Sequence, residues 1–396
     1  MKNIKLMTDV HLGGRNVLMR LDLNAPIRDG VVTSDARLRA ALPSIKYAIE
    51  QGAQLALASH LGRPKGKRNP DFSLEPVAER LSKLLGIDVI LAPGCRGDAV
   101  RGLLGEQRPG GVVLLENLRF ERGETKNDPD FARELGRPFD IYINDAFGAS
   151  HREHASIVGV SRYVEEAAAG FLLEKETAAL SRLVDAPAEP FVAVVGGAKV
   201  SDKLGVLNAL IGRCQTICIG GAMAYTFMKA KDIKVGSSRV EEDRLFKASE
   251  VMDRARKRDT EILLPLDHVA AEDFAEDAAH QIIAGEHIPD AKMGLDIGPQ
   301  TRELYASKVR EAKSLFWNGP MGVFEWDAFS DGTMAIAEAA RACDGYTVVG
   351  GGDSVAAAEK AGVQDALSHV STGGGASLEF IEQNGTLPGL KVLSTN

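Results

Sequence analysis

Apolar positions along this chain alternate between two spacings. Short, nearly continuous apolar runs recur: "NVLMRLDL", "AQLALAS", "DVILA", "GVVLLENL" and "DIYINDAF", then "FVAVVGG", "QTICIGG", "EILLPLD", "SLFWNG" and "YTVVGGG". Between them lie longer amphipathic stretches such as "LEPVAERLSKLLG", where Val77, Leu81, Leu84 and Leu85 recur at helical spacing, and "TMAIAEAARAC". Strands alternating with helices predict βαβ units and mostly parallel sheets. Runs apolar at every position, not every second one, predict strands covered on both faces.

The middle breaks this rhythm. "AAAGFLLEKETAALSRLVDAPAEP", Ala167 to Pro190, reads as a helix followed by a loop over Asp185 to Pro190 with two prolines. It is taken as the join between two α/β domains. A chain of 396 residues holds two or three domains at roughly 150 residues each. The expectation is therefore two doubly wound parallel-sheet, Rossmann-like domains over 1–170 and 187–379, joined by an interdomain helix at 171–186. There is no tandem repeat and no low-complexity tract.

In open α/β sheets ligands bind beyond the carboxyl ends of the strands, and here those ends differ between the halves. The first half carries charged and polar side chains: Arg20, Asp22 and Asn24; Ser59, His60 and Arg63; Glu116, Asn117 and Arg119; Asn144 and Asp145. The second half carries glycine: "GGAK", "GGAM", "DIGP", "NGPMG", "GGGDS" and "STGGG". One half grips with side chains and the other offers backbone N–H groups, which predicts a different ligand for each.

Composition narrows the class. Hydrophobic residues make up 44% and charged residues 26%, as in soluble globular chains. A net charge of -8 argues against nucleic acid as a partner. No apolar run approaches the ~20 residues that cross a bilayer, so no membrane partner is expected. The N-terminus lacks an apolar core of signal-peptide length, which makes secretion unexpected and a cytoplasmic location the expectation. Cys95, Cys214, Cys218 and Cys343 form no C-x-x-C pair and read as free thiols in a reducing compartment.

Against that acidic balance, the first half gathers Arg20, Arg37, Arg39, Arg63, Lys65, Arg119, Arg122, Arg152 and three histidines, His60, His151 and His154, in or near loops. The planar arginine fork suits carboxylate and phosphate, so the set points to a small phosphorylated acid. His151 and His154 lie three apart without an evident acid partner, a poor metal pattern. "GRPKGK" lacks the Ser or Thr of a phosphate loop and reads as a flexible basic loop.

In the second half, "VVGGGDSVAAAEKAG" and "STGGGASLEFIEQ" both read as strand, glycine turn, helix. Glycine lets a backbone approach a ligand closely, and a helix N-terminus favours phosphate. Asp353 or Ser354 can cap the first helix, and Asp353 is a candidate magnesium ligand, since magnesium takes one or two carboxylates plus phosphate oxygens. In "VVGGAKVSDKLG", Lys199 and Lys203 share one face if the segment is helical, a repulsive pairing that an anion would relieve. "LFWNGPMGVFEWDAF" offers an apolar slot with Glu325 placed to bond ribose hydroxyls.

The segments "RLDLNAP", "ASHLGRPKG", "LLENLRF", "NDAFGASHREHAS", "AAGFLLEKE", "VVGGAKVSDK", "GLDIGP", "WNGPMGVFE", "VVGGGDS" and "STGGGASLEF" occur in that order. Together they make the chain resemble the phosphoglycerate kinase family over its whole length. The resemblance implies reversible phosphoryl transfer between ATP and the carboxylate of 3-phosphoglycerate, giving ADP and 1,3-bisphosphoglycerate, a glycolytic step that uses Mg2+. It implies glycerate contacts at Asp22, Asn24, Arg37, His60, Arg63, Arg119 and Arg152. Nucleotide contacts fall on Lys203, Gly294, Glu325, Gly351, Gly352, Asp353 and Ser354, with Lys199, Gly373 and Gly374 along the phosphate path. It further implies a monomer, and a C-terminal tail of about 380–396 that packs back on the first domain. Ser354, Ser150 and His268 depart from the more familiar residues of that family without removing a contact.

Phosphoryl transfer rests on positioning and charge neutralisation. The expected catalytic groups are Arg37, Lys203 and the N–H groups following Gly373 and Gly374, with hinge closure of the two domains. Two rivals stay open at this point. A two-lobed solute-binding protein also clamps ligands between α/β domains, though no export signal is seen. A nicotinamide dehydrogenase would need the G-x-G-x-x-G fingerprint, which is absent.

Overall fold

The computed structural model describes residues 4–394. The chain divides after Ala178 into two compact units, and the stretch from Thr386 onward belongs with the first. In the first unit β1 (Asn16–Leu21) is followed by a short hairpin, β2 (Ile27–Arg28) and β3 (Val31–Val32), and by α1 (Ala36–Glu50). Then come β4 (Gln54–Ala58), α2 (Glu75–Leu85), β5 (Val89–Leu91), α3 (Asp98–Gly105), β6 (Val112–Leu114), α4 (Pro129–Gly136), β7 (Ile141–Asp145) and β8 (Glu166–Ala169). Six strands form one sheet in the order β5-β6-β4-β1-β7-β8, every pair parallel.

The continuous apolar runs have the expected cause. Val17, Met19, Leu55 and Leu57 pack with Leu38 and Ile45 of α1 and Val77 and Leu81 of α2. The alternate residues Leu18, Ala56 and Tyr142 are buried as well, so both faces of the sheet are covered.

One expectation is corrected at the join. Ala167–Ala169 lie in β8, parallel to β7, and helix α5 (Phe171–Asp185) starts only after Gly170. Alanine favours helix in isolation, but tertiary pairing overrides that preference. The Asp145 carboxylate accepts the Leu173 N–H at 3.0 Å, and a Cβ added at Gly170 would lie 2.4 Å from it. Burial pushes the Asp145 pKa up to about 6.

The second unit runs through β9 (Phe191–Val195), α6 (Leu204–Leu210), β10 (Thr216–Ile219), α7 (Met223–Lys229), α8 (Leu245–Arg256) and β11 (Glu261–Leu263). An insertion follows: β12 (His268–Ala271), β13 (His280–Ile283) and β14 (Met293–Ile297) form a separate antiparallel sheet that the sequence reading did not anticipate. The chain continues as α9 (Pro299–Glu311), β15 (Ser314–Asn318), α10 (Asp331–Arg341), β16 (Tyr346–Val349), α11 (Gly352–Lys360), β17 (His369–Val370) and α12 (Gly375–Glu382). The main sheet is all parallel in the order β11-β10-β9-β15-β16-β17. In chain order this is third, second, first, fourth, fifth, sixth, the arrangement of dinucleotide-binding sheets, with its direction of winding reversed between β9 and β15.

That switch point is where a ligand crevice belongs, and glycine permits it. A Cβ added at Gly196, after β9, would lie 2.0 Å from the Pro320 carbonyl oxygen, and Gly319, after β15, has φ +99°. Past Gly385 the chain adds α13 (Pro388–Lys391) to the first unit. The Gly389 N–H donates to the Ser150 carbonyl at 2.9 Å and Asn144 Nδ2 to the Gly389 carbonyl at 3.2 Å. Among the described residues no helix is long and apolar enough to cross a membrane.

Candidate active site

In the first unit most site residues follow the carboxyl ends of β1, β4 and β6, while Arg37 stands at the start of α1 and Arg152 and His154 follow β7. Arg37 Nη1 donates to Asp22 Oδ2 at 2.8 Å. The Gly62 peptide is held on both sides: its N–H donates to Asn24 Oδ1 at 2.9 Å, and its carbonyl accepts from Arg119 Nη1 at 2.8 Å. Gly62 has φ +58°, and a Cβ there would lie 2.3 Å from the Phe72 ring. Asn117, buried, donates to the Leu61 and Phe72 carbonyls at 2.7 and 2.9 Å and so fixes the same loop. The "GRPKGK" loop is thus pinned, with the Gly66 N–H also donating to the Arg119 carbonyl at 3.1 Å. The reading of it as a flexible loop is corrected: its neighbours supply hydrogen bonds that its own composition does not reveal.

Arg63, Arg119, Arg152 and His154 line a cavity of about 670 Å³, together with Lys65, Arg122 and Lys126. Among the described residues no carboxylate lines it. Arg119 Nε is buried without a hydrogen-bond partner, and burial, then the nearby Arg20 charge, lowers the Arg119 pKa. Crowded, incompletely satisfied cations are costly unless an anion joins them. Asp22, Asn24, Arg37 and His60 do not line this cavity; Asn24 is tied to it through the Gly62 peptide, which Arg119 also holds.

The histidines are not part of the positive charge, which corrects their grouping with the arginines. Burial is the first cause in each case: it holds His60 well below its ordinary pKa and lowers His151 and His154 to about 4. Arg20 is fully buried; it donates to Ser156 Oγ at 2.9 Å and lies 3.1 Å from His60 Nδ1. Arginine has no acceptor, so His60 Nδ1 accepts and the ring proton sits on Nε2. Arg20 is therefore a prop for His60 and not a surface ligand.

These shifts give a stability test. Between pH about 6.5 and about 4 the unfolded chain takes up protons that folded His151 and His154 refuse. Stability from these groups is complete above that window and falls as pH falls through it. Asp145, raised to about 6, works in the opposite sense. A His154→Gln variant keeps Asp145 and should show a shallower loss of Tm between pH 6.5 and 4 than the unaltered protein, measured by thermal melting. Parallel curves would refute the assignment.

In the second unit a cavity of about 430 Å³ brings together Gly294, Glu325 and Asp353, as expected, with Gly197, Gly221, Tyr225, Phe274, Met293 and Leu295. A Cβ added at Gly294 would lie 2.0 Å from Tyr225 Oη, so glycine lets the tyrosine ring form a wall. His268 packs against that ring at 5.6 Å between centroids. The expected capping of α11 is corrected. No side chain caps its first turn; Ser354 Oγ accepts instead from the Gly319 N–H, while Asp353 is exposed. Gly351, the N-cap, has φ +94°. A Cβ added at Gly352, Gly374 or Gly375 meets nothing within 4 Å, so open space adjoins the first turns of α11 and α12.

Lys199 and Lys203 do not share a helical face. Residues 197–203 form bends and turns, and α6 begins at Leu204 with Lys203 as its N-cap. Lys199 is exposed and Lys203 half-buried; Lys203 Nζ donates to Asn318 Oδ1. Burial lowers the Lys203 pKa, opposed by Asp353, Asp202 and Glu382. Asn318 itself is buried, and its Nδ2 donates to the Gly350 carbonyl, so it ties the lysine to the glycine turn before α11. The sequence reading missed Asn318, although its place at the end of β15 was a usable signal. It also missed Tyr225 and Phe274, for which no local pattern exists.

A sheet wound for nucleotides with a glycine-built crevice, and a second sheet whose cavity is lined mainly by arginine and lysine, define a nucleotide-dependent phosphotransferase built from two α/β units. The comparisons with known proteins agree. The profile of the phosphoglycerate kinase family matches residues 7–384. Phosphoglycerate kinase from Anaeromyxobacter sp. (strain K) is 53% identical over 393 residues, covering 98% of each chain. Among solved structures, phosphoglycerate kinase from Coxiella burnetii is 39% identical with a TM-score of 0.89, covering 99% of each chain. That from Pyrococcus horikoshii OT3 is 33% identical with a TM-score of 0.86, covering 98% of each chain. The chain belongs to the phosphoglycerate kinase family. It is an enzyme of phosphoryl transfer between ATP and 3-phosphoglycerate.

Proposed function

We propose that the first unit binds 3-phosphoglycerate and the second binds ATP. The observation that carries this reading is the carboxylate-free cavity lined by Arg63, Arg119 and Arg152, matched in the other unit by a crevice holding Gly294, Glu325 and Asp353. The three arginines would take the phosphate of the glycerate. Asp22, Asn24, Arg37 and His60 would orient its carboxylate end, His60 as a neutral Nε2–H donor. In the other unit Glu325 would bond the ribose, and Gly351, Gly352 and Ser354 would shape the turn that presents the first amides of α11 to phosphate. Lys199, Gly373 and Gly374 would flank the phosphate path.

A carboxylate oxygen of the glycerate attacks the γ-phosphorus. The new P–O bond forms as the bond to the bridging β–γ oxygen breaks, and ADP leaves with that electron pair. The attacking group is already ionised, so no general base is needed. Arg37 and Lys203 would neutralise charge on the equatorial oxygens, helped by the amides following Gly373 and Gly374.

Magnesium fits this arrangement through one residue. Among the described residues no group of three or more His, Cys, Asp or Glu could hold a metal ion. Asp353, exposed at the first turn of α11 beside the cavity, suits an ion that arrives with nucleotide phosphates and keeps its waters. Such an ion supplies neutralisation of phosphate charge.

Transfer demands reacting atoms about 3–3.5 Å apart, and Arg37 and Lys203 belong to different units. Closure about α5 during the cycle would satisfy that demand and exclude water. The enzyme would act in the cytoplasm as a monomer. A coupled assay with 3-phosphoglycerate and magnesium-ATP tests the reaction; no ATP turnover would sink it. Solution scattering with both substrates should show a smaller radius of gyration than with either alone, and an unchanged radius would count against closure.

A further inference from the structure

Among the described residues, Arg239 is the one cation lining the second unit's cavity. It is exposed, and its guanidinium has no carboxylate or hydrogen-bond partner among the described residues. Its place in the cavity is set by its neighbour. Ser238, buried, accepts the Gly294 N–H on its Oγ at 2.9 Å, which ties this segment to the apolar end formed by Gly294 and Tyr225. Asp353 and the first turn of α11 mark the phosphate end of the same cavity. On the nucleotide reading above, on which this inference rests, Arg239 lies at the base end.

An unpaired arginine beside a purine is not neutral between bases. Its fork carries donors only. Guanine presents two adjacent acceptors, O6 and N7, which match the fork; adenine presents N7 next to the N6 amino group, itself a donor. We propose that Arg239 is a specificity-determining residue that shifts this enzyme's preference among phosphoryl donors toward guanine nucleotides, by a bidentate contact to the O6/N7 edge. The rest of the apolar wall accepts either purine ring, so the arginine supplies the discrimination.

The test is steady-state kinetics of the full-length enzyme with magnesium-ATP and magnesium-GTP, using the unaltered protein, Arg239→Leu and Arg239→Lys. One bidentate base contact corresponds to roughly a 5- to 150-fold preference. The ratio of kcat/KM for GTP to that for ATP should fall by that factor in Arg239→Leu. It should fall part-way in Arg239→Lys, which keeps the charge and loses the fork. Equal losses with both nucleotides would overturn the proposal, because they would place Arg239 on the phosphates or ribose that both share. An unchanged ratio, or no measurable GTP turnover by the unaltered enzyme, would overturn it too. Failure of the unaltered enzyme to turn over ATP would overturn the nucleotide reading beneath it. Arg239 is exposed, so both variants should melt like the parent.

Discussion

Arg37→Ala should lower kcat on the order of 10²-fold, the usual cost of removing one donor aimed at developing charge, while the KM for ATP stays near its starting value. The two parameters separate because Arg37 belongs to the unit proposed to hold the glycerate. In the structure its guanidinium is committed to Asp22 at 2.8 Å. That pair is partly exposed on the arginine side, where an ion pair contributes little to stability, so the variant should melt close to the parent. A Lys at this position keeps charge and loses the planar fork, and should recover only part of the rate. Steady-state kinetics with each substrate varied in turn decides the matter. Unchanged turnover would refute the role of Arg37, and a loss confined to the KM for ATP would move it to the other substrate.

Lys203→Ala should cost on the order of 10²- to 10³-fold in kcat and should weaken ATP as well. Its amine is half-buried against Asn318, with Asp353 as the first carboxylate favouring its charge. Removing it leaves the Asn318 oxygen short of a partner beside the Gly350–Gly352 turn. Asn318→Ala offers an independent check. It keeps the lysine but frees it, so it should reproduce part of the kcat loss while the KM for 3-phosphoglycerate holds. If Asn318→Ala leaves kcat untouched, the lysine's placement does not depend on that bond.

Much of the fold was legible before any coordinates. All ten apolar runs became strands; those inside the sheets are apolar at nearly every position because both faces are covered, while the edge strands β5 and β11 are partly exposed. The glycine turns before α11 and α12 were legible for a similar reason: a positive φ or a close backbone approach excludes other residues, as Gly351 and Gly196 illustrate. The antiparallel insert was not, since β13 is a short, largely exposed strand with only two apolar residues, Ile282 and Ile283. Ala167–Ala169 misled for the opposite reason, a helix-prone sequence claimed by the edge of a sheet.

The chain's own sequence determined which chemistries were present: side-chain cations at the strand ends of one half, backbone amides at those of the other. Residue type and local spacing suffice for that. Only the tertiary structure decided which of those groups can act. It withdrew Arg20 into the core, held three histidines neutral by burial, uncapped α11 by drawing Ser354 to Gly319, and anchored Lys203 on Asn318. Charge state and hydrogen-bond partner depend on burial and on residues distant in sequence, and neither is written into a local pattern.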